Sequence, residues 1–173
     1  MRRLHIPILL GTGRQGRYSE KVAEYVKRQI VNYDKFITEI IDVRDYATPI
    51  TVPGWENQNP IIKKVQSLMQ KADGLILVIP EYNHGYPGEL KIFFDKIQTQ
   101  LQGKSIAVCG VSSGGLGGAR VVENFLPILV CFQMKIIIPA IYFSNIEKLF
   151  DEQGNITDNK YDSRLEKLLQ KFN

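Results

Sequence analysis

Cysteine and histidine are scarce, with two of each in 173 residues. Cys109 and Cys131 both sit inside apolar runs and lack metal-ligand spacing. That excludes a disulfide framework and a thiolate metal centre, so both are expected to be reduced thiols in the core of a cytoplasmic protein, with no metal bound. No His-Asp or Cys-His constellation stands out, which argues against nucleophilic catalysis by a side chain. Long apolar runs are missing too: "FLPILVCF" is the longest and falls far short of a bilayer span, so no membrane association is expected. The opening "MRRLHIPILLGTGRQGR" sets two arginines before an apolar stretch. "IPILL" is nevertheless too short for a signal-peptide core, and no small-residue cleavage site follows. A strong charge of one sign is also absent. The net charge is +4 (22 Lys and Arg against 18 Asp and Glu), and the bases are mostly interleaved with acids. This pattern suits small anions better than nucleic acid, which is not expected as the main partner.

What is present is an ordinary globular composition, 44% hydrophobic and 23% charged, in a length that suits one domain over residues 1–173. Short apolar runs alternate with segments of 3.6-residue periodicity. Strands are expected at His5 to Leu10, Phe36 to Val43, "GLILVIP", "SIAVCGV" and "KIIIPAI". The helices between them carry Val22, Val26 and Ile30 after a Ser19 cap, then Ile61, Val65, Leu68, Met69 and Ala72 after an Asn59-Pro60 cap, then Leu90, Phe93 and Phe94. A helix from Ala119 to Phe132 should be kinked or interrupted by Pro127, "DEQGNITD" should form a hairpin or turn, and Asp158 to Phe172 should close the chain as a helix. Five strands joined by crossover helices predict an α/β, three-layer, doubly wound parallel sheet, with the flavodoxin-like strand order 2-1-3-4-5. "GLILVIP" is apolar throughout, as a strand covered on both faces must be. In such sheets ligands bind beyond the carboxyl ends of the strands at the topological switch.

Three loops are expected at that edge: "GTGRQGRYS", "PEYNHGYPG" and "SSGGLGG", which together hold more than half of the chain's 14 glycines. In the first, Gly11, Gly13 and Gly16 permit close backbone approach, Thr12 and Ser19 supply hydroxyls, Arg14 and Arg17 supply charge, and a helix N-terminus follows. That combination suits a phosphate. The letters also satisfy G-x-G-x-x-G, but Asp34 and Glu39 are not at the end of the second strand and Asp42 is a late candidate for the ribose acid, so dinucleotide binding stays a minor alternative.

"PEYN", then a Gly-Tyr-Pro-Gly turn and "LK", resembles the signature of the NADPH-dependent FMN reductase family, which includes quinone, azo-dye and chromate reductases. The resemblance covers Pro80, Glu81, Tyr82 and Asn83, then His84, Gly85, Tyr86, Pro87 and Gly88, then Leu90 and Lys91. Thr12 stands where the family's phosphate loop usually has serine, Arg17 where a small hydroxyl residue is frequent, and Ile92 where asparagine is common.

The resemblance implies FMN as cofactor, NADPH or NADH as electron donor and a small-molecule acceptor, in a homodimer or tetramer with FMN near the subunit boundary. It implies that Gly11, Thr12, Arg14, Arg17 and Ser19 hold the phosphate, that Pro80, Glu81, Tyr82 and Asn83 wrap one edge of the flavin with His84 and Gly85 also at the cofactor, and that Ser113, Gly114 and Gly115 approach its pyrimidine end. The flavin would carry the chemistry. His84 is either a loop histidine or a proton donor. Glu81, Arg120 and Trp55 each allow a site role or a contact role. Gly85 is expected at positive φ from its turn context. The rival readings are a flavodoxin-type electron carrier and a flavin-loaded regulatory protein.

Overall fold

The computed structural model describes residues 2–56 and 58–172. Its strands are β1 (Leu4–His5), β2 (Ile8–Leu10), β3 (Phe36–Ile37), β4 (Ile40–Asp42), β5 (Gly74–Pro80), β6 (Ser105–Val111) and β7 (Lys135–Phe143). Its helices are α1 (Ser19–Val31), α2 (Pro60–Lys71), α3 (Gly88–Phe94), α4 (Ala119–Cys131), α5 (Ile146–Leu149) and α6 (Lys160–Leu169), with a 3-10 turn at Val43–Tyr46.

The main sheet is parallel, in the order β4-β2-β5-β6-β7, and β1 pairs with β3 beside it. The first two expected strands are therefore each present in two pieces, and with that the expected order 2-1-3-4-5 holds. Pro7 separates β1 from β2 and has no N–H to donate. The ladder to the neighbouring strand nevertheless continues through Ile6 N to Ile37 O (2.9 Å) and Ile8 N to Glu39 O (2.8 Å). β5 lies at the centre, all seven residues buried, as its unbroken apolarity requires.

Helices cover both faces. On one, Val22, Val26 and Ile30 of α1 and Leu165, Leu168 and Leu169 of α6 pack with Ile8, Ile76 and Ala107 of the sheet. On the other, Val65 and Met69 of α2, Phe93 and Phe94 of α3, and Phe125 and Leu129 of α4 cover Leu9, Leu77 and Val108. Burial of side chains this large is worth about 1.5–3 kcal/mol each, so these two layers carry the fold.

Several local expectations are corrected. Ser19 opens α1 but makes no side-chain cap; Tyr18 is the N-cap residue, also without a side-chain cap bond. Asn59 does cap α2, accepting from Ile61 N at 2.9 Å. Pro127 lies inside an uninterrupted α4. Cys109 is buried, whereas Cys131 is exposed, because it falls on the last turn of α4, on a side away from the sheet. "DEQGNITD" forms a turn closed by a bridge between Phe150 and Ile156. No helix among the described residues is long and apolar enough to cross a membrane.

Candidate active site at the carboxyl edge of the sheet

β2, β5 and β6 are neighbours, so the loops leaving Leu10, Pro80 and Val111 emerge side by side. Between them lies a cleft of about 150 Å³ lined by Arg14, Gly16, Arg17, Tyr18 and Ser19 from the first loop, Pro80, Glu81 and Tyr82 from the second, and Val111, Ser112 and Ser113 from the third. Ile146 and Glu147 of α5 complete the wall. Gly11, Thr12, Asn83, His84, Gly85, Gly114 and Gly115 belong to the same loops but do not line this cleft. A larger apolar groove of about 570 Å³ runs between β7 and α6. It is remote from the switch point and collects no convergent polar loops, so the smaller cleft is the candidate site.

The first loop is tied together by its own side chains. Thr12 is fully buried. Its hydroxyl lies 2.9 Å from Glu89 Oε1 and 3.2 Å from Tyr82 Oη, and it accepts from Arg14 N at 3.2 Å. Glu89 Oε1 also accepts from Gly13 N at 2.7 Å. The Arg17 side chain is 1% exposed and grips Asp42 through both terminal nitrogens, one of which also donates to the Thr12 carbonyl. Arg44 reaches the same Asp42 at 2.7 Å. The side chains of Thr12 and Arg17, expected as direct phosphate ligands, thus have partners inside the protein, while Arg17 Nε is buried at the cleft without a hydrogen bond.

Electrostatics follow this geometry. Burial opposes ionisation of Asp42, but Arg17 and Arg44 outweigh it and hold its carboxyl well below the usual range. Burial likewise opposes ionisation of Glu89, and N–H groups including that of Gly13, the Thr12 hydroxyl and the charge of Arg17 outweigh it.

Other polar groups of the loop have no partner inside the protein, and Gly16, Arg17, Tyr18 and Ser19 line the cleft. Among the described residues, no hydrogen bond to the protein is made by the backbone N–H groups of Gln15, Gly16, Arg17 or Tyr18. Ser19 Oγ is buried and has no partner. Helix α1, 13 residues long, points its N-terminus there. Free N–H groups, an orphaned hydroxyl and a helix dipole fit an anion such as a phosphate. Arg14 adds an exposed guanidinium, which lies 5.5 Å over the Tyr82 ring.

The second loop is held by its backbone. Tyr82 and Gly85 exchange hydrogen bonds, Tyr82 N to Gly85 O at 3.0 Å and Gly85 N to Tyr82 O at 2.9 Å, around Asn83 and His84 at φ 49° and 63°. Two central residues at positive φ define a type I′ hairpin turn. The left-handed positions are therefore Asn83 and His84, and the expectation for Gly85 is corrected: it is not among the positive-φ residues, and a Cβ there would meet Tyr82 O at an ordinary 3.7 Å. Asn124 Nδ2 clamps the turn by donating to His84 O at 2.7 Å. The His84 side chain is exposed and makes no hydrogen bond among the described residues. Glu81 pairs with Arg120 at 3.3 Å through Oε1, while Oε2 is buried without a partner. Trp55, 74% exposed, lines no part of the cleft.

In the third loop Ser112 Oγ accepts from Gly114 N, and Ser113 Oγ donates to Glu147 Oε1 at 3.1 Å. The tight packing is at Gly117 and Gly118, at φ 61° and 85°, where a Cβ would lie 2.8 Å from Tyr142 C and 2.7 Å from Val111 N respectively. A Cβ at Gly114 would meet only Ser112 Oγ at an ordinary 3.6 Å, and Gly115 is open. Sequence reasoning missed Glu89, Ser112 and Glu147. An acid in the first turn of α3 is an ordinary helix feature, and nothing local signals that Glu89 reaches the first loop.

The fold defines a flavodoxin-like α/β protein with a polar cleft at its topological switch. A model of the NADPH-dependent FMN reductase family matches residues 4–148, and the chain belongs to that family. It is 27% identical over 154 aligned positions to the NAD(P)H-dependent FMN reductase LOT6 of Saccharomyces cerevisiae, covering 78% of each chain. It is 26% identical over 178 aligned positions to a 2-hydroxy-1,4-benzoquinone reductase of a Burkholderia species, covering 98% of this chain and 94% of the other. Among solved structures, the flavoenzyme NAD(P)H:(acceptor) oxidoreductase FerB of Paracoccus denitrificans superposes with a TM-score of 0.83 at 19% identity, over 98% of this chain and 94% of that one. The protein is an oxidoreductase that uses FMN and NAD(P)H.

Proposed function

We propose that this chain, as a single domain, holds FMN across the three-loop cleft and passes electrons from NADPH or NADH to a quinone, a free flavin, an azo compound or a metal oxyanion. The observation that carries the siting is the orphaned, buried Ser19 hydroxyl beside the unpaired N–H groups at the start of α1. Bound FMN supplies hydride acceptance from the nicotinamide and electron transfer onward.

The residues bind and orient. Arg14, Ser19 and the N–H groups of residues 15 to 18 receive the phosphate, and the backbone of Pro80 to Gly85 borders the ring. Ser113, Gly114 and Gly115 approach the pyrimidine end, where N–H donors favour negative charge. No side chain is required as a strong acid or base, and the unengaged His84 fits that.

The cleft, about 150 Å³, is smaller than a typical ligand pocket of about 300–1,000 Å³. In this reading one face of the ring stays open, for the donor and the acceptor in turn, and a second copy of the chain lies near the rim in a homodimer or tetramer. A cytoplasmic location agrees with NAD(P)H as donor.

Steady-state NADPH oxidation by the FMN-loaded protein with a quinone tests the reading. Parallel double-reciprocal lines at several quinone concentrations are expected from a shared face. Intersecting lines contradict the shared face, and absence of turnover favours an electron carrier.

A further inference from the structure

We propose that Glu89 is a positioning residue for the phosphate end of the site, acting through Gly13 and Thr12; the inference rests on the FMN reading above. Glu89 stands in the first turn of α3, directly after the ring loop, and reaches back to the first loop. An ionised carboxylate only accepts hydrogen bonds. Thr12 must therefore donate its hydroxyl proton to Glu89, which fixes every other bond around it. Arg14 N and Tyr82 Oη become donors to Thr12 Oγ1, each at 3.2 Å.

Two consequences follow. The N–H groups of Gly13 and Arg14 are consumed inside the loop, so the anion is offered the later N–H groups, Ser19 Oγ and the Arg14 guanidinium. The spacing between the phosphate and ring loops is also fixed by direct bonds, through Glu89 and through Tyr82. A carboxylate beside an anion seat repels the anion, so Glu89 works by hydrogen-bond geometry and against its charge. Arg17, engaged with the Thr12 carbonyl, offsets that charge.

The geometry of Glu89 is shared by glutamine, whose Oε1 also accepts two hydrogen bonds, and not by alanine. Apoprotein of the parent, Glu89→Ala and Glu89→Gln would be titrated with FMN and, separately, with riboflavin, which lacks the phosphate. Glu89→Ala is expected to weaken FMN about tenfold or more, with riboflavin changed less than about threefold; Glu89→Gln should stay within about threefold of the parent for both. Thr12→Val, which removes the same hub with little change of volume, should repeat the FMN-selective loss and serves if Glu89→Ala does not fold. Parental FMN affinity in Glu89→Ala, equal losses for both flavins, or a Glu89→Gln protein as weak as Glu89→Ala would each overturn the proposal. A parent that binds neither flavin would instead overturn the FMN reading on which it rests.

Discussion

The loops after β2 and β5, proposed to hold the phosphate and to border the ring, lie side by side at one sheet edge yet are built by opposite means. Residues 11–19 are held by buried side chains, with Thr12, Arg17, Asp42 and Glu89 in one connected set. Residues 80–85 are held by backbone, through a hairpin bridge between Tyr82 and Gly85 and an amide clamp on the His84 carbonyl. The first loop should therefore fail when one of its own side chains is removed, and the second when its backbone conformation is disallowed.

The largest effect is expected at Arg17. Removing it strands a mostly buried Asp42 with Arg44 alone, at a cost of about 3 kcal/mol, the lower end for breaking a buried pair. Urea unfolding of Arg17→Ala checks this. Acid should reach the same contribution. Because the folded pKa of Asp42 is depressed, its stabilisation is complete above the unfolded value of about 3.9 and is lost as pH falls below it. Asp42→Asn should flatten the acid limb of a stability-against-pH curve.

A smaller effect is expected for Arg14→Ala, which leaves the fold intact and removes the charge-assisted hydrogen bond proposed to the phosphate. FMN binding should fall about tenfold or more, read by flavin fluorescence, since such bonds are worth about 1.5–3 kcal/mol. Next comes His84, at φ 63°. A β-branched residue there should cost about 1–2 kcal/mol in thermal or urea unfolding, whereas His84→Gly should be neutral or slightly stabilising. FMN reduction by NADPH in His84→Ala should stay near the parental rate; a fall of about a hundredfold would make His84 a proton-transfer residue. The smallest effect is expected for Gly85→Ala, within about 0.5 kcal/mol of the parent, since its Cβ meets only an ordinary contact.

The same contrast sorts what was legible in the sequence. Strand identity, layer order and the meeting of three loops follow from periodicity and glycine placement, which are local signals. The fate of Thr12 and Arg17 was not local. Glu89 lies 77 residues from Thr12, and Asp42 lies 25 residues from Arg17, so their hydroxyl and guanidinium read as free ligand groups until the chain closed. In the second loop glycine drew the expectation of positive φ, while the turn placed it on Asn83 and His84, because a two-residue hairpin follows the bridge register and not the glycine. Asparagine tolerates that region well, and the residue after it had to follow. Cys131 shows a third case: an apolar run in a helix need not face the sheet at every position.

The measurement that bears most directly on the site is calorimetric titration of FMN and riboflavin into the apoprotein and into Ser19→Ala. With the phosphate seated at the start of α1, the parent should bind FMN about a hundredfold or more tighter than riboflavin, from several charge-assisted bonds acting together. Ser19→Ala should lose about tenfold for FMN alone. Equal affinity of the parent for the two flavins would contradict a phosphate seat in this loop.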